Sequence, residues 1–421
     1  MMKAFSIVIF FTAAACAGAV PARAQAAAAP APLAQLLEEA RQKNPALQVA
    51  LHQQTAVSHV PQQASALPDT QIVVQQLNVG SPRPFAGYTN SDFAYIGLGA
   101  AQEFPWPGKR ALRAQVAGLE AGSLRAQSDA VQRAIEEQVK VAYFRLAYLQ
   151  QTLDILQRND KVLDEVEQVA EARYRVGQGS QQEVLKAQLQ HTKILQEISM
   201  NHREQGQLQA QLKQALGRAQ ASPDIVTEPL RERALPADAS ALLGKVSEGN
   251  AEVGARRQML LKAEKQTELA HKEFRPDMGL QFMYQNTDRK FRDYYMFTFS
   301  VTLPNRGRRK AELAEALEQQ QAAGAVLETE VQRRSAEVKD QWVLAQTSAE
   351  QLRIYREGLM PQAEATFRAA MAAYEANRQD FETLLSSFLD VLKFEEEYQK
   401  ELSDHEAALA RLESLTGVTL P

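Results

Sequence analysis

The sequence contains two copies of one pattern, and this duplication restricts the fold more than any other feature. The matched positions are Gly108 and Gly307, 199 apart, then Gly177 and Asn377, and Gly217 and Gly417, both pairs 200 apart. The first glycines lie in the related segments PWPGKR and PNRGRR. A period this long is not that of a short solenoid repeat. We therefore expect two related halves of about 200 residues each.

Each half is expected to begin with a short helix, at about 33–59 in the first half. Two short stretches follow in which apolar and polar residues alternate, as in a strand with one apolar face. The clearest is Tyr294–Leu303, where Tyr295, Phe297 and Phe299 alternate with serine and threonine. Aromatic and β-branched residues dominate it, as strands prefer. The predicted strands span about 70–78, 93–104, 277–285 and 294–303.

A long helical pattern, with apolar residues at steps of three and four, follows each pair of strands. The first, over about 110–176, would form a helix on the order of 100 Å long, which is typical of a coiled coil. Gly177–Gly179 interrupts it, and Ser180 with Glu183 forms a capping box for the returning helix. The predicted antiparallel hairpins span 107–217 and 307–417. In the second, one long helix is expected to run to Tyr374.

The N-terminus has the pattern of an export signal, in which a lysine precedes an apolar run and small residues follow. Cleavage is expected between Ala24 and Gln25, which removes Cys16, the only cysteine. Lipidation of Cys16 is the alternative, although the usual lipobox leucine is absent. The expected organisation is a signal peptide over 1–24, a first repeat over 25–217, a connector over 218–243 and a second repeat over 244–421.

Four strands are too few to close a barrel with a useful interior, because small barrels need about eight. An open sheet with exposed aromatics would aggregate in water, and within a bilayer only helices and closed barrels satisfy their backbone groups. Association resolves this, since two copies would supply eight strands and three would supply twelve. The mature chain shows no run of about 20 apolar residues. We therefore expect a shared outer-membrane barrel with helices projecting into the periplasm.

Two motifs, QEFPWPGKR at Gln102–Arg110 and ARYRVGQGSQQEVLKAQ at Ala172–Gln188, together with the duplication, resemble the TolC family of outer-membrane efflux channels. The resemblance covers essentially the whole mature chain. It implies a mainly α fold with a transmembrane β-barrel portion, assembled as a homotrimer with a twelve-stranded barrel in outer-membrane lipid and an α-helical periplasmic tunnel. It also implies docking to a periplasmic adaptor protein and an inner-membrane efflux pump of the RND type. FPWPGKR is most similar to the heavy-metal branch, of the CusC and CzcC type.

The resemblance places adaptor docking at the two hairpin tips. The tip residues that it implies are Tyr174, Arg175, Gly177, Gln178 and Gly179 of the first hairpin and Tyr374, Asn377 and Arg378 of the second. Some family members close the pore with acidic residues just past the second tip, but the matching positions here are Thr383 and Ser386. Asp380 and Glu382 are the candidate substitutes for that pore constriction, and helix capping with solvation is the alternative interpretation.

No catalytic or metal site is predicted, because the six histidines lack paired ligand spacing and no cysteine survives cleavage. We therefore expect no enzyme activity, no cofactor and no resident metal. The net charge of -4 gives no basic excess for nucleic acid, and Glu395–Glu397 is interpreted as a solvated helix face. The alternatives are a periplasmic adaptor, an exported enzyme, or the outer-membrane duct of a type I protein secretion system. Metal ions, drugs and polypeptides all stay open as cargo.

Overall fold

A computed structural model describes residues 29–84, 91–235, 238–287 and 293–420. The predicted signal peptide over 1–24, its cleavage site between Ala24 and Gln25, and Cys16 all lie outside these residues.

The described chain is mainly helical with one antiparallel sheet, which confirms that part of the predicted fold class. The first half contains α1 (Leu33–Lys43), α2 (Pro45–Ser58), α3 (Val60–Ser65), β1 (Gln71–Leu77), β2 (Tyr95–Phe104), α4 (Lys109–Arg175) and α5 (Gln181–Ala215). The second half contains α6 (Ala239–Gly249), α7 (Ala251–Lys272), β3 (Asp277–Asn286), β4 (Tyr294–Thr302), α8 (Arg306–Ile354), α9 (Met360–Glu375) and α10 (Phe381–Thr416). Within the described ranges, none of the helices combines the length and apolarity needed to cross a bilayer.

The second arm is helical as far as Glu375, close to the predicted end at Tyr374, but it is not one continuous α-helix. A π-helical turn, Tyr355–Leu359, separates α8 from α9. Pro361 lies in the first turn of α9, and proline has no amide hydrogen and crowds the preceding turn of a helix. A wider turn at this point accommodates the proline without ending the helical arm.

In each half, an asparagine at the equivalent position joins a short helix to the end of the helical hairpin. The Asn44 side chain caps α2 and donates to the Ala215 carbonyl oxygen at 2.7 Å. The Asn250 side chain caps α7 and donates to the Leu415 carbonyl oxygen at 2.9 Å. Both amides are buried, so each hydrogen bond satisfies polar groups that would otherwise be costly to bury.

The sheet has the order β1-β2-β3-β4, so the two halves meet between β2 and β3. Its register gathers apolar side chains on one exposed face, namely Ile72, Val74, Leu98, Leu280, Phe282, Tyr295, Phe297, Phe299 and Val301. The opposite face carries small and polar residues around the buried Met283. There a Cβ at Gly99 would lie 2.4 Å from the Phe282 carbonyl oxygen, so this position requires glycine.

A buried lysine joins the sheet to the helices. Lys109, whose side chain is 1% exposed, places Nζ 3.0 Å from Asp277 Oδ1 and 3.1 Å from Glu273 Oε2. The same ammonium donates to the Arg275 carbonyl oxygen at 3.0 Å, and the Trp106 amide donates to Asp277 Oδ1 at 2.7 Å. The first half thereby holds the segment that leads into β3 of the second half.

Replacing Lys109 by methionine is expected to lower the free energy of unfolding by about 2–4 kcal/mol, because Asp277 then loses its ion-pair partner and Glu273 is left with Arg113 and Arg309. Urea unfolding of the detergent-purified protein, followed by circular dichroism, measures the loss. The matched control is Arg308→Met at the corresponding place in the second half, where the side chain is 71% exposed and pairs with Glu312. Equal losses in the two variants would show that the buried pairing is unimportant.

Candidate functional site: the hairpin tips

The first hairpin turns through a left-handed glycine. Gly177 has φ +73°, and its amide donates to the Tyr174 carbonyl oxygen at 3.0 Å. The Gln178 amide donates to the Arg173 carbonyl oxygen at 2.9 Å. This pair of hydrogen bonds is the Schellman arrangement, which satisfies the last carbonyl groups of a helix.

The second hairpin turns in the same way without a glycine. Asn377 has φ +56°, and among the described residues it is the one non-glycine residue with a positive φ. Its amide donates to the Tyr374 carbonyl oxygen at 3.0 Å, and the Arg378 amide donates to that of Ala373 at 2.8 Å. Asparagine tolerates this conformation better than most residues, so the turn is kept although the glycine is lost.

The helices that return from the tips begin with side-chain caps. Ser180 Oγ accepts from the Glu183 amide at 3.3 Å, and Asp380 Oδ1 accepts from the Thr383 amide at 2.9 Å. The hydroxyl and then the backbone hydrogen bond from Thr383 lower the pKa of Asp380. Asp380 is therefore a charged cap at the N-terminus of α10, where a negative charge is favourable.

Arg173 connects the two tips, although it is not among the tip residues predicted from the sequence. Its guanidinium lies over the Tyr374 ring, 4.2 Å from the centroid. It donates to the carbonyl oxygen of Tyr374, to Asn377 Oδ1 and, at 3.2 Å, to the carbonyl oxygen of Gln178. One side chain thus bonds to both turns, and to the asparagine that replaces glycine.

The two tip tyrosines occupy matching positions in the repeat but different surroundings. Tyr374 is 1% exposed, packs edge-on against Phe381 and donates its hydroxyl to Glu183 Oε2 at 2.7 Å. Burial, and then the Glu183 carboxylate, raise the pKa of Tyr374, so its phenol stays protonated near neutral pH. Tyr174, its counterpart, is 48% exposed. Of the two, Tyr174 is the one available to a partner.

The predicted constriction residues lie on the first turns of α10 or just before them. Asp380, Glu382, Thr383 and Ser386 are all exposed in the single chain. Glu382 forms an ion pair with Lys186 of α5, so the start of α5 is tied to the start of α10. These contacts give Asp380 and Glu382 structural partners within the chain.

The charged residues that tie the tips together could have been found by comparing the two repeats. The pairs are Arg173 with Ala373, Glu183 with Thr383, and Lys186 with Ser386. In each pair the first repeat has a charge that the second lacks, although the surrounding motif is kept. A charge present in one repeat alone indicates a contact that only that repeat makes.

A second feature of the helical bundle is a half-buried carboxylate on α10, Glu396. Burial, together with the neighbouring Glu197, Glu395 and Glu397, raises the pKa of Glu396 to about 7. Glu395 accepts from Asn159 at 3.0 Å, and Glu397 accepts from the Tyr355 hydroxyl at 2.8 Å. The interpretation of Glu395–Glu397 as a solvated helix face is therefore wrong, because these side chains pack against neighbouring helices.

The sequence profile of the outer membrane efflux proteins matches residues 36–218 and 242–416. The chain belongs to this family. The resemblance drawn from its motifs is confirmed, and the members are outer-membrane channels rather than enzymes, so this efflux protein is placed in the outer membrane. No curated protein sequence gives a significant match to the chain.

Solved structures share the fold of this efflux protein along most of its length. The outer-membrane channel OprN is 17% identical with a TM-score of 0.80, and the alignment covers 92% of this chain and 91% of that one. VceC from Vibrio cholerae is 20% identical with a TM-score of 0.77, covering 91% and 96%. CusC is 16% identical with a TM-score of 0.77, covering 91% of each chain. CusC is no more similar than VceC, so these likenesses do not favour the heavy-metal branch.

Replacing Arg173 by methionine is expected to loosen both tips, since it removes three hydrogen bonds and a cation–π contact. A local loss of about 1.4 kcal/mol or more would accelerate amide hydrogen exchange across both turns at least about tenfold. Hydrogen-exchange mass spectrometry of peptides covering 174–180 and 374–380 measures it. Arg175→Met is the control, because Arg175 is 74% exposed and pairs only with Glu171 among the described residues. Unchanged exchange at the second tip would contradict the bridging role.

Replacing Glu396 by glutamine is expected to change how stability depends on pH. Because the folded protein raises the pKa of Glu396 from 4.5 to about 7, it binds a proton that the unfolded chain has released, and its stability falls as pH rises through this window. The glutamine variant should lack this fall and be more stable at pH 8 by on the order of 1–2 kcal/mol after solvent screening. Thermal unfolding at pH 5 and pH 8 measures it, with the exposed Glu375→Gln as control. Parallel pH profiles of wild type and variant would refute the assignment.

Proposed function

We propose that three copies of this chain form a channel that gives cargo a passive, water-filled exit across the periplasm and the outer membrane. A periplasmic adaptor docks at the hairpin tips, and an inner-membrane efflux pump of the RND type supplies the energy. Family membership and the shape of the fold support this proposal. Heavy-metal cations are the first cargo to test, because the FPWPGKR motif is most similar to that branch.

The observation that carries the proposal is the exposed apolar face of a sheet whose edges are β1 and β4. Each neighbouring pair of strands is antiparallel, so β1 and β4 run in opposite directions. β1 of one copy can therefore pair antiparallel with β4 of the next and continue the same pattern. Three copies close the ring at twelve strands, and closure satisfies the backbone groups at every edge.

Strand length and side-chain chemistry support a barrel in lipid. β2 and β3 have 10 residues each and β4 has 9, within the roughly 9–11 that a tilted membrane-spanning strand needs. The face with Phe297, which is 72% exposed in the single chain, then meets lipid. The face with Thr298 and Ser300 then lines the water-filled lumen, as in known barrels.

The tips supply the contact with the adaptor and the periplasmic closure. Tyr174, Arg175 and Gln178 are exposed around the first turn, and Arg378 is exposed beside the second. They offer an aromatic ring, cations and an amide to a partner. We place the pore constriction at the start of α10. There Thr383 and Ser386 are uncharged, and Asp380 and Glu382 supply the negative charge.

The alternatives are weaker. A periplasmic adaptor is disfavoured by membership in the outer membrane efflux family and by the two-hairpin duplication. The duct of a type I secretion system would use the same channel with a different pump. The fold does not separate it from drug or metal efflux, because the pump selects the cargo.

Replacing both Gly177 and Gly179 by leucine is expected to abolish export while trimers stay in the membrane. The left-handed φ of Gly177 would strain a leucine, and a Cβ at Gly179 would lie 3.2 Å from Arg173 Cβ. Export is scored as survival of a deletion strain that expresses each variant, on copper, silver, zinc and hydrophobic drugs. Gly206→Leu on the same hairpin is the control, since nothing lies within 4 Å of its added Cβ.

The same strains test the location. Wild type and both variants should resist carbonate extraction and migrate as trimers. Normal export by the double glycine variant would show that the tips do not couple to the pump. Recovery of the wild type in a soluble periplasmic extract would overturn the channel proposal itself.

A further inference from the structure

Side chains of α4 and α5 converge on the first hairpin at a cluster that the sequence did not predict. Asp160, Asp164 and Glu167 are spaced by four and three residues, so they lie on one face of α4. His191 approaches them from α5. We call these four residues the His191 cluster. Ligand spacing along the sequence does not reveal this set, because it combines a single imidazole with three carboxylates on two helices.

The distances within the His191 cluster are close to those of a metal coordination shell. His191 Nδ1 lies 3.5 Å from Asp164 Oδ1 and 3.9 Å from Glu167 Oε2, and one ligand atom from each of these three residues lies within 4.8 Å of the others. A tetrahedral ion with bonds of about 2.1 Å holds its ligand atoms about 3.4 Å apart. Small side-chain rotations would therefore bring the three atoms to one ion.

The charges of the cluster are not balanced within the chain. Among the described residues, no lysine or arginine forms an ion pair with Asp160, Asp164 or Glu167. Asp160 Oδ1 is a buried oxygen without a hydrogen-bond donor in the described part of the chain, and it lies 3.2 Å from His191 Nε2. A buried carboxylate oxygen needs a hydrogen-bond donor. A neutral imidazole that turns its Nε2–H toward Asp160 would supply one and leave Nδ1 to face the other two carboxylates. The unbalanced negative charge there favours a cation bound to Nδ1.

We propose that the His191 cluster binds one divalent transition-metal ion of the Zn²⁺ type per chain. His191 Nδ1, Asp164 and Glu167 are the protein ligands, and water completes the shell through the half-exposed side of Asp164. Asp160 accepts a hydrogen bond from Nε2–H, which holds the ring with Nδ1 toward the ion, as carboxylates behind metal-bound histidines commonly do. The imidazole favours zinc, nickel or copper over Ca²⁺ and Mg²⁺, which prefer oxygen ligands.

The second repeat has no equivalent site. Its corresponding residues, 200 positions later, are Met360, Glu364, Phe367 and Val391. The expected stoichiometry is therefore one ion per chain. Asp164 lies 13 positions before Gly177, which corresponds to about 20 Å along α4. A bound ion would staple the two arms of the first hairpin behind its tip, whether or not the tip docks to an adaptor.

Zn²⁺ titration of the untagged, chelator-treated protein in detergent, followed by calorimetry, tests the site. Wild type should bind one equivalent per chain, and His191→Gln and Asp164→Asn should each weaken binding at least about tenfold. The control is His202→Gln, which changes an exposed histidine on the same helix and should bind as wild type does. Ca²⁺ in place of Zn²⁺ should bind at least tenfold more weakly.

Thermal unfolding gives a second readout, because an ion that binds the folded hairpin raises the midpoint. Saturating Zn²⁺ should raise the midpoint of the wild type and of His202→Gln, and leave that of His191→Gln unchanged. The proposal is overturned if the wild type binds no Zn²⁺, if the cluster variants bind it equally well, or if Ca²⁺ competes on equal terms. Export by the cluster variants is a separate question, so failure here would leave the channel proposal standing.

Discussion

The structure depends on one constraint of its four-stranded sheet. The backbone groups of the edge strands β1 and β4 need hydrogen-bond partners, and the apolar face needs to be shielded from water. The four-stranded sheet forms because the two halves of the chain pair through β2 and β3. Lys109 stabilises this junction through its ion pair with Asp277 at the start of β3. The helices α4 and α8 follow directly from β2 and β4, so the places where the two helical arms leave the sheet are set by the strands. A chain with this constraint has no satisfactory state alone in water, which is why the family location in the outer membrane fits the physics of the strands.

The parts of the fold that depend on local pattern were predictable from the sequence. Alternation gave the strands, three-and-four spacing gave the helices, and the left-handed positions at Gly177 and Asn377 marked the hairpin tips. Comparing the repeats singles out Arg173 as a charge that only the first tip has, but its partner Tyr374 was not predictable, because the two residues meet only once the arms lie side by side. The same limit applies to the His191 cluster, whose carboxylates and imidazole are far apart in sequence. The π-turn escaped because the helical pattern continues past Pro361.

The duplication is close in backbone and unequal in chemistry. Both tips share one turn geometry, yet the charged residues of the first tip correspond to uncharged residues at the matching positions of the second repeat. Within a chain, the seam between hairpins therefore contains an arginine, a glutamate and a lysine. In the proposed trimer, the seam between chains would bring together the other combination, with alanine, threonine and serine in those places. A ring of six similar hairpins would thus have two kinds of joint in alternation.

The π-turn at Tyr355–Leu359 explains a small irregularity of the repeat. Gly177 lies 69 positions after Gly108, whereas Asn377 lies 70 positions after Gly307, so the second arm contains one residue more before its tip. A π-turn is the usual way in which a helix takes up a single inserted residue. The π-turn accommodates the extra residue locally. The second tip can therefore lie beside the first with the same orientation around the helix axis. In the proposed trimer, this turn would give the second hairpin the same reach as the first, so that six arms would end at one level in the periplasm.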